Sequence, residues 1–318
     1  MISEFFNFDN ITRQKRSVST FDADLISLKN ENSVFVYTEV LKNLKIGPIQ
    51  KYPIILPLKE RFKQNITSFH EPVFGMGSDG ILKDLFFILN YKSIQILEFS
   101  YKMAEVYNQL LSKEIRINKF GINKKNKSNL FKLTNNIVGL GGDVLYLVNP
   151  HCPTGFYLNA EQIRDLSHHF KHIIVDEAYT NPFKIDWDVY NIPNVIIVKS
   201  FSKLGGAPGI RLGYCITGDT QILEKMQKIS GLYEISTPAA HFLNWLLDNP
   251  FYIEIFEMNL KKGFNFLQEY ATFSLMCGNF ALLQPAERFL GPRYEIDGEV
   301  FTRVTLTDEE HASQLILA

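Results

Sequence analysis

The chain has 318 residues with 33 basic and 34 acidic side chains, and this balance leaves no overall positive field to hold nucleic acid or an anionic membrane. Its three cysteines, Cys152, Cys215 and Cys277, are odd in number and far apart, which favours a reducing cytoplasm over a disulfide framework. No apolar run approaches the roughly 18 to 20 residues that span a bilayer, and the first residues carry no basic leader. We therefore expect a cytoplasmic protein that binds any anionic ligand locally.

Short apolar runs alternate with amphipathic stretches between residues 75 and 217. β-branched runs such as 173–175 are expected where helices cover both faces of a parallel sheet. An apolar stripe at 81–89 predicts a helix, and Asn159 predicts the cap of another that reaches about Phe170. The pattern predicts an α/β, doubly wound fold. Its buried parallel strands are expected at 93–97, 143–148, 172–175, 194–198 and 212–217.

The remaining segments are polar or mixed in pattern. Residues 113–136 are rich in lysine and asparagine and predict a connecting excursion without function. Beyond Thr237 the pattern predicts helices to about residue 270, then strands at 279–283 and 300–306 and a short polar helix. We expect an N-terminal segment that joins a small domain, a large site-bearing domain and a small α+β domain, at residues 1–48, 49–236 and 237–318.

Polar motifs follow three of the predicted strands. They are NPHCPTG at residues 149–155, DEAY at 176–179 and KSFSK at 199–203. Ligands of open parallel sheets bind at the carboxyl ends of the strands. The third motif leads through a glycine-rich turn to Arg211, so a lysine that can form a Schiff base stands beside hydroxyls and an arginine that can bind phosphate. This combination suits pyridoxal phosphate.

In order and spacing these motifs resemble the fold-type I pyridoxal-phosphate enzymes of the class I and II aminotransferase family, especially the histidinol-phosphate aminotransferase-like branch. The resemblance covers roughly residues 50–310. It implies a mostly parallel, doubly wound large domain, a smaller α+β domain, bound pyridoxal 5'-phosphate and a homodimer. The implied activity moves an amino group from a donor such as glutamate to a small oxo substrate, with or without phosphate.

The resemblance implies three catalytic residues. Lys203 falls at the position of the Schiff-base amine, which also shuttles the substrate proton. Asp176 falls where a carboxylate pairs with the pyridine nitrogen, and Tyr179 where a phenol donates to the phenolic oxygen of the cofactor. A lone lysine is more often a solvated charge, and an aspartate after a strand is more often a turn residue. The surrounding motifs favour the catalytic interpretation.

The resemblance also implies further contacts to the cofactor. Tyr52 matches a tyrosine that reaches the phosphate of the neighbouring subunit, so the site would need a homodimer. Cys152 stands where most relatives have asparagine, and a thiol is a much weaker donor than an amide. The implied cofactor-binding residues are Tyr52, Gly77, Ser78, Asp79, Tyr101, Cys152, Ala178, Ser200, Ser202 and Arg211.

Two arginines are candidate substrate ligands. By resemblance Arg303 matches the small-domain arginine that binds the substrate carboxylate bidentately, and Arg293 lies near a second anion-binding arginine of histidinol-phosphate aminotransferases. The small domain is shorter than is usual in the family, and the N-terminal segment lacks the family's asparagine-rich motif. The sequence therefore does not identify the substrate. The sequence contains no CxxC pair, so this signal of a metal site is missing.

Alternatives remain open. A decarboxylase of a phosphorylated amino acid, resembling threonine-phosphate decarboxylase, or a carbon–sulfur lyase would keep the cofactor and break another bond. A binding protein on the same fold would lack catalysis. The run 75–80 also fits the dinucleotide pattern GxGxxG, with Glu98 eighteen residues beyond it, but residues 70–72 interrupt the strand that such a site requires.

Overall fold

The computed structural model describes residues 51–66, 71–122, 130–306 and 308–317, apart from the side chain of His311. The predicted N-terminal segment, 1–48, lies outside these ranges. The helices are α1 Leu56–Asn65, α2 Gly77–Ile88, α3 Lys102–Leu110, α4 Ile137–Leu140, α5 Ala160–Ser167, α6 Trp187–Tyr190, α7 Thr220–Ser230, α8 Thr237–Asp248, α9 Phe251–Gln268 and α10 Glu309–Ala312. The strands are β1 Val73–Met76, β2 Ser93–Leu97, β3 Glu114–Asn118, β4 Phe120–Ile122, β5 Phe131–Leu133, β6 Val144–Val148, β7 His172–Asp176, β8 Val195–Ser200, β9 Leu212–Thr217, β10 Phe273–Cys277, β11 Phe280–Gln284, β12 Arg293–Ile296 and β13 Glu299–Thr305.

A seven-stranded sheet with the order β1-β9-β8-β7-β6-β2-β3 forms the centre of the α/β fold. Strands β3, β2, β6, β7 and β8 are mutually parallel. The prediction of a parallel strand at 212–217 is wrong, because β9 pairs antiparallel with both β8 and β1. A parallel return needs a crossover of a dozen or more residues, usually with a helix, and the link from Ser200 to Leu212 holds only a single 3-10 turn.

Helices cover both faces of this sheet. Along β6 the side chains of Leu145 and Leu147 join one apolar cluster, while Val144, Tyr146 and Val148 join the other. Helices α2 and α7 pack on the second cluster, and α1, α5 and α8 pack on the first. Each fully buried aliphatic side chain contributes about 1.5–3 kcal/mol, so burial of both faces of the sheet stabilises the fold. As predicted, Asn159 caps α5, through a reciprocal bond with Gln162.

Segment 113–136 contains structure that the sequence did not predict. Strand β3 is an edge strand of the central sheet, and β4 pairs with β5 in a separate two-stranded ladder. The alternating pattern of β3, Glu-Ile-Arg-Ile-Asn, is that of a half-exposed edge strand rather than a buried one. The prediction of a connecting excursion at 113–136 therefore did not anticipate these three strands.

A second sheet follows α9. It is antiparallel, with the order β10-β11-β13-β12. The sequence predicted β11 and β13, whereas β10 and β12 were missed. In the part of the chain that the structure describes, no helix is long and apolar enough to cross a membrane.

Candidate active site

The carboxyl ends of the central strands meet at one edge of the large sheet. Strand β6 ends at Val148, which lies in register with Asp176 of β7, and β8 ends beside them at Ser200. Strand β1 is parallel to β8, since both pair antiparallel with β9, so Met76 ends at the same edge. Arg211 lies at this edge too, directly before the first residue of β9. The sheet topology thus brings the predicted motifs together.

Asp176 is a buried carboxylate with two protein donors. The Tyr146 hydroxyl donates to Oδ2 at 2.6 Å, and the Ala178 N–H donates to Oδ1 at 3.0 Å. Burial raises the pKa of Asp176 to about 6, while these two hydrogen bonds lower it. The positive charge of Lys203 also lowers this pKa, so the ammonium lies within electrostatic reach of the carboxylate. Each carboxylate oxygen can accept more than one hydrogen bond, so Asp176 can accept a further donor.

Lys203 and Tyr179 are neighbours on this edge. The Lys203 Nζ lies 5.8 Å from the centre of the Tyr179 ring. Burial raises the pKa of the Tyr179 phenol well above its usual value, and the neighbouring Cys152 thiol adds to the effect while Arg303 opposes it. The phenol therefore stays protonated at neutral pH and can act as a donor. These contacts bring four of the predicted residues to one place.

A buried ion pair anchors the loop that carries Ala178 and Tyr179. The Lys199 Nζ lies 2.7 Å from Glu177 Oε2 and donates to Thr180 Oγ1 at 2.6 Å. It also donates to the Asn181 carbonyl at 3.1 Å, so three acceptors surround the ammonium. Burial lowers the pKa of Lys199, and Glu177 opposes that effect. The pair fixes the position of the loop that follows β7.

The first turn of α2 and the start of β9 form a cradle beside these residues. Gly77 has a φ of +73°, and a Cβ there would lie 2.8 Å from Arg211 Nη2, so the arginine passes directly over the backbone. Arg211 Nη2 donates to the Met76 carbonyl at 3.3 Å. Ser78 and Asp79 follow in the first turn, where backbone N–H groups have no helical partner.

The other predicted residues of this end lie close to the cradle. The Asp79 carboxylate accepts from the Tyr107 hydroxyl at 2.8 Å. Burial raises the pKa of Tyr101, and the charge of Asp79 adds to this effect, which places Tyr101 beside the start of α2. The hydroxyl of the buried Ser200 accepts from the Ser202 N–H at 3.1 Å. The site is suited to an anion, because the start of α2, serine hydroxyls and the Arg211 guanidinium meet here.

The loop 149–155 is held by its own side chains. Asn149 bonds both the N–H and the carbonyl of Leu158, each at 2.9 Å. His151 is buried and shares a 2.8 Å hydrogen bond with the Thr154 hydroxyl, and burial lowers its pKa to about 3. Cys152 packs in a small cluster that also includes Tyr179. The loop is therefore a fixed wall of the site.

The second sheet supplies another wall. The Arg303 guanidinium on β13 lies 5.5 Å from the centre of the Phe280 ring, and that ring meets Tyr179 edge-on at 5.3 Å. Gly278, with a φ of +56°, makes the junction possible, because a Cβ there would lie 2.7 Å from the Tyr179 carbonyl. Arg303 is thus placed near the predicted catalytic residues.

Arg293 is placed differently. It is exposed at the start of β12 and pairs with Thr302, whereas Tyr294 pairs with Phe301. Since side chains alternate along a strand, Arg293 lies on the opposite face of the sheet from Tyr294 and Arg303. The structure does not bring Arg293 to the other candidates, and its substrate role stays a prediction from sequence.

Tyr52 lies at the rim of the cradle. Its side chain is 71% exposed, and its ring stacks on Tyr233 with the ring centres 3.9 Å apart. The two tyrosines line a cleft that also includes Met76 and Arg211. The predicted contact of Tyr52 with a neighbouring subunit stays a prediction.

The topology of the central sheet argues against a dinucleotide-binding site at residues 75–80. Among the described residues, strand β1 is an edge strand that pairs with the antiparallel β9 alone, and α2 begins at Gly77 inside the glycine motif. A dinucleotide fingerprint opens a unit of parallel strands joined by a helix. Within the described ranges, no group of three or more His, Cys, Asp or Glu side chains is arranged to hold a metal ion.

Two residues of this site were not predicted from the sequence. Tyr146 is a polar aromatic residue in an otherwise aliphatic strand, two positions before Val148, on the face that Asp176 shares. Lys199 is a charge at the end of an apolar run. Each was a visible irregularity in a buried strand. The partner of Tyr146 became apparent only with the register of the sheet, and that of Lys199 only with the course of the loop after β7.

The fold occurs in solved structures of pyridoxal-phosphate enzymes. The chain superposes on the histidinol-phosphate aminotransferase of Sinorhizobium meliloti, solved in complex with pyridoxal-5'-phosphate, with a TM-score of 0.63 and 15% identity, covering 95% of this chain and 96% of that one. This likeness shows the fold, that of the fold-type I enzymes.

Sequence comparison defines the family. The model for aminotransferase class I and II matches residues 29–289, and the chain belongs to this family. A histidinol-phosphate aminotransferase of Clostridium beijerinckii is 27% identical over 207 residues, which cover 60% of this chain and 54% of that protein. An L-serine phosphate decarboxylase of Campylobacter jejuni is 29% identical over 188 residues, 55% of this chain and 45% of that protein. The chain thus spans about half the length of these two curated relatives.

Proposed function

We propose that this protein binds pyridoxal 5'-phosphate and transfers an amino group between an amino acid donor, such as glutamate, and a small oxo substrate. The observation that carries the proposal is the meeting of Lys203, Tyr179 and Asp176 at one strand edge, with Lys203 Nζ 5.8 Å from the Tyr179 ring centre. Membership of the aminotransferase class I and II family supports it.

The side chains at this edge fit such a cofactor. Without a Cβ, Gly77 leaves room for the Arg211 guanidinium over the helix start, and Ser78, Ser200 and Ser202 add hydroxyls for the phosphate. Asp176 retains capacity to accept a hydrogen bond from a ring nitrogen. Tyr101 and Ala178 would flank the ring, and Tyr179 with Cys152 would face its phenolic oxygen.

Bound pyridoxal phosphate supplies an aldehyde that links to amines and a ring that accepts electron density from the carbon beside the amino group. Asp176, ionised above its pKa of about 6, would keep the ring nitrogen protonated at neutral pH. Lys203 Nζ would take the proton from that carbon and return it to the product. Arg303 would bind the substrate carboxylate, while the Phe280 ring beneath it limits its movement.

An absorbance assay tests this function. Purified protein is loaded with pyridoxal phosphate, and glutamate and other amino acids, with and without phosphate groups, are added. The proposal predicts loss of the bound-aldehyde absorbance together with the matching keto acid. A protein that cannot take up the cofactor would contradict it.

A second candidate is decarboxylation of a phosphorylated amino acid. Its support is the similarity to the L-serine phosphate decarboxylase of Campylobacter jejuni, at 29% identity. Both activities use the same residues and differ in which bond at the substrate carbon breaks. Release of carbon dioxide from phosphoserine or phosphothreonine, without keto acid, would favour this candidate over amino-group transfer.

We also propose a cytoplasmic homodimer. Tyr52, at the rim of the cradle, and the nearby Ile54 and Leu56 of the same segment are exposed apolar side chains that a second subunit would cover. The three cysteines are free and buried, as expected in a reducing compartment. Sedimentation equilibrium tests the assembly, and a monomer at assay concentrations would contradict it.

A further inference from the structure

Asp176 takes its position from a residue outside the three strand-end motifs. Tyr146 lies in the middle of β6, opposite Ile174, so its side chain shares a face with Asp176 two residues along the neighbouring strand. The phenol is fully buried, and its hydroxyl donates to Asp176 Oδ2 at 2.6 Å. The other oxygen, Oδ1, accepts from the Ala178 N–H at 3.0 Å.

These two donors fix the plane of the carboxylate. A phenol hydroxyl that donates to a carboxylate stabilises the ionised form and leaves the remaining lone pairs for other donors. Without the hydroxyl, Oδ2 would lose its donor in a site that water scarcely reaches, and the carboxyl group could rotate or take up a proton. The ring itself packs edge-on against Phe86, with centres 5.9 Å apart, so packing and hydrogen bonding can be separated.

We propose that Tyr146 is the positioning residue for the cofactor's ring nitrogen, acting through Asp176 by holding that carboxylate ionised and correctly turned. This inference rests on the proposed function, since it presumes that pyridoxal phosphate binds at this edge. Tyr146 itself would make no contact with the cofactor. Its effect is therefore confined to ligands that carry a ring nitrogen.

The test compares two ligands by equilibrium dialysis: pyridoxal phosphate and its 1-deaza analogue, in which carbon replaces the ring nitrogen. Tyr146→Phe removes one oxygen and keeps the ring against Phe86. We expect this variant to bind pyridoxal phosphate roughly tenfold more weakly than wild type, as for a lost hydrogen bond to a charged group, and to bind the deaza analogue as wild type does. Equal weakening for both ligands would overturn the inference and make Tyr146 a purely structural residue.

Two further proteins sharpen the result. Tyr91→Phe is the matched control. Tyr91 lies just before β2, away from the cofactor site, and its buried hydroxyl also donates to a side-chain oxygen, that of Asn108, at 2.6 Å. This control should bind both ligands as wild type does. In an Asp176→Asn background, Tyr146→Phe should add less than a twofold change, and additive effects would overturn the inference. Wild-type protein that binds neither ligand would instead contradict the proposed function, and this inference with it.

Discussion

The Lys199 ammonium and the Glu177 carboxylate form a buried ion pair 2.7 Å apart, directly between the end of β8 and the loop that follows β7. The residue before Glu177 is Asp176, and those after it are Ala178 and Tyr179. Lys199 is separated from Lys203 by three residues. The pair therefore connects the two segments that carry the proposed catalytic groups.

Lys199→Met should destabilise the protein strongly. Removing one partner leaves the Glu177 carboxylate buried without its counter-charge, which costs about 3–5 kcal/mol. Lys171→Met is the matched control, because its 2.8 Å ion pair with Asp143 is more exposed and such pairs contribute about 0–1 kcal/mol. Denaturant unfolding monitored by circular dichroism compares the two, and equal losses would show that the buried pair has no special weight.

Arg303→Gln should impair binding of substrates that carry a carboxylate. A forked, charged donor is replaced by a neutral amide, so KM for an amino acid donor should rise at least tenfold, the equivalent of about 1.4 kcal/mol. Steady-state kinetics with amino acids and with amines that lack the carboxylate measures the difference. Arg288→Gln, at an exposed position beside Tyr270, serves as control. An equal rise for both kinds of substrate would argue against a carboxylate contact.

Cys152→Asn should change the titration of the bound cofactor. An amide N–H is a stronger donor than a thiol, so it should stabilise the anionic phenolic oxygen more and lower the pH midpoint of the absorbance change. Titration of wild type, Cys152→Asn and the control Cys215→Ala, a buried cysteine of β9, measures the midpoint. An unchanged or higher midpoint in the asparagine variant would refute a direct role of Cys152.

His151 should make the folded protein sensitive to acid. Burial lowers its pKa to about 3, so the unfolded chain takes up the proton first, at about pH 6.5. The contribution of His151 is complete above that pH and is lost as pH falls towards 3, by about 2 kcal/mol between pH 6.5 and 5. His151→Asn should abolish this part of the pH dependence in denaturant unfolding, whereas the exposed His169→Asn should not. A parallel loss in both variants would contradict the assignment.

The strand-end motifs could be predicted because the carboxyl ends of parallel strands share one edge of a sheet. Lys203 and Asp176 were predicted from such strand ends and Arg211 from the glycine-rich turn that follows, and the family comparison confirms the resemblance these motifs carry. The direction of β9 was not predictable from its apolar run, since a buried antiparallel strand has the same pattern. It depends on the short connection from β8.

Other features depend on register and packing. The partner of Tyr146 becomes clear only once Val148 is aligned with Asp176. Strands β10 and β12 are short and partly exposed, so their apolar signal is weak. The face on which Arg293 lies follows from its pairing with Thr302, which the sequence does not contain.

Locating the lysine that carries the cofactor tests the proposed site most sharply. Protein loaded with pyridoxal phosphate is reduced with borohydride, digested and analysed by tandem mass spectrometry, which separates Lys203 from its neighbour Lys199. If Lys203 carries the cofactor, one reduced pyridoxyl group is expected on Lys203 and none in Lys203→Ala. A label on Lys199 or on a surface lysine, or no label in wild type, would contradict this site.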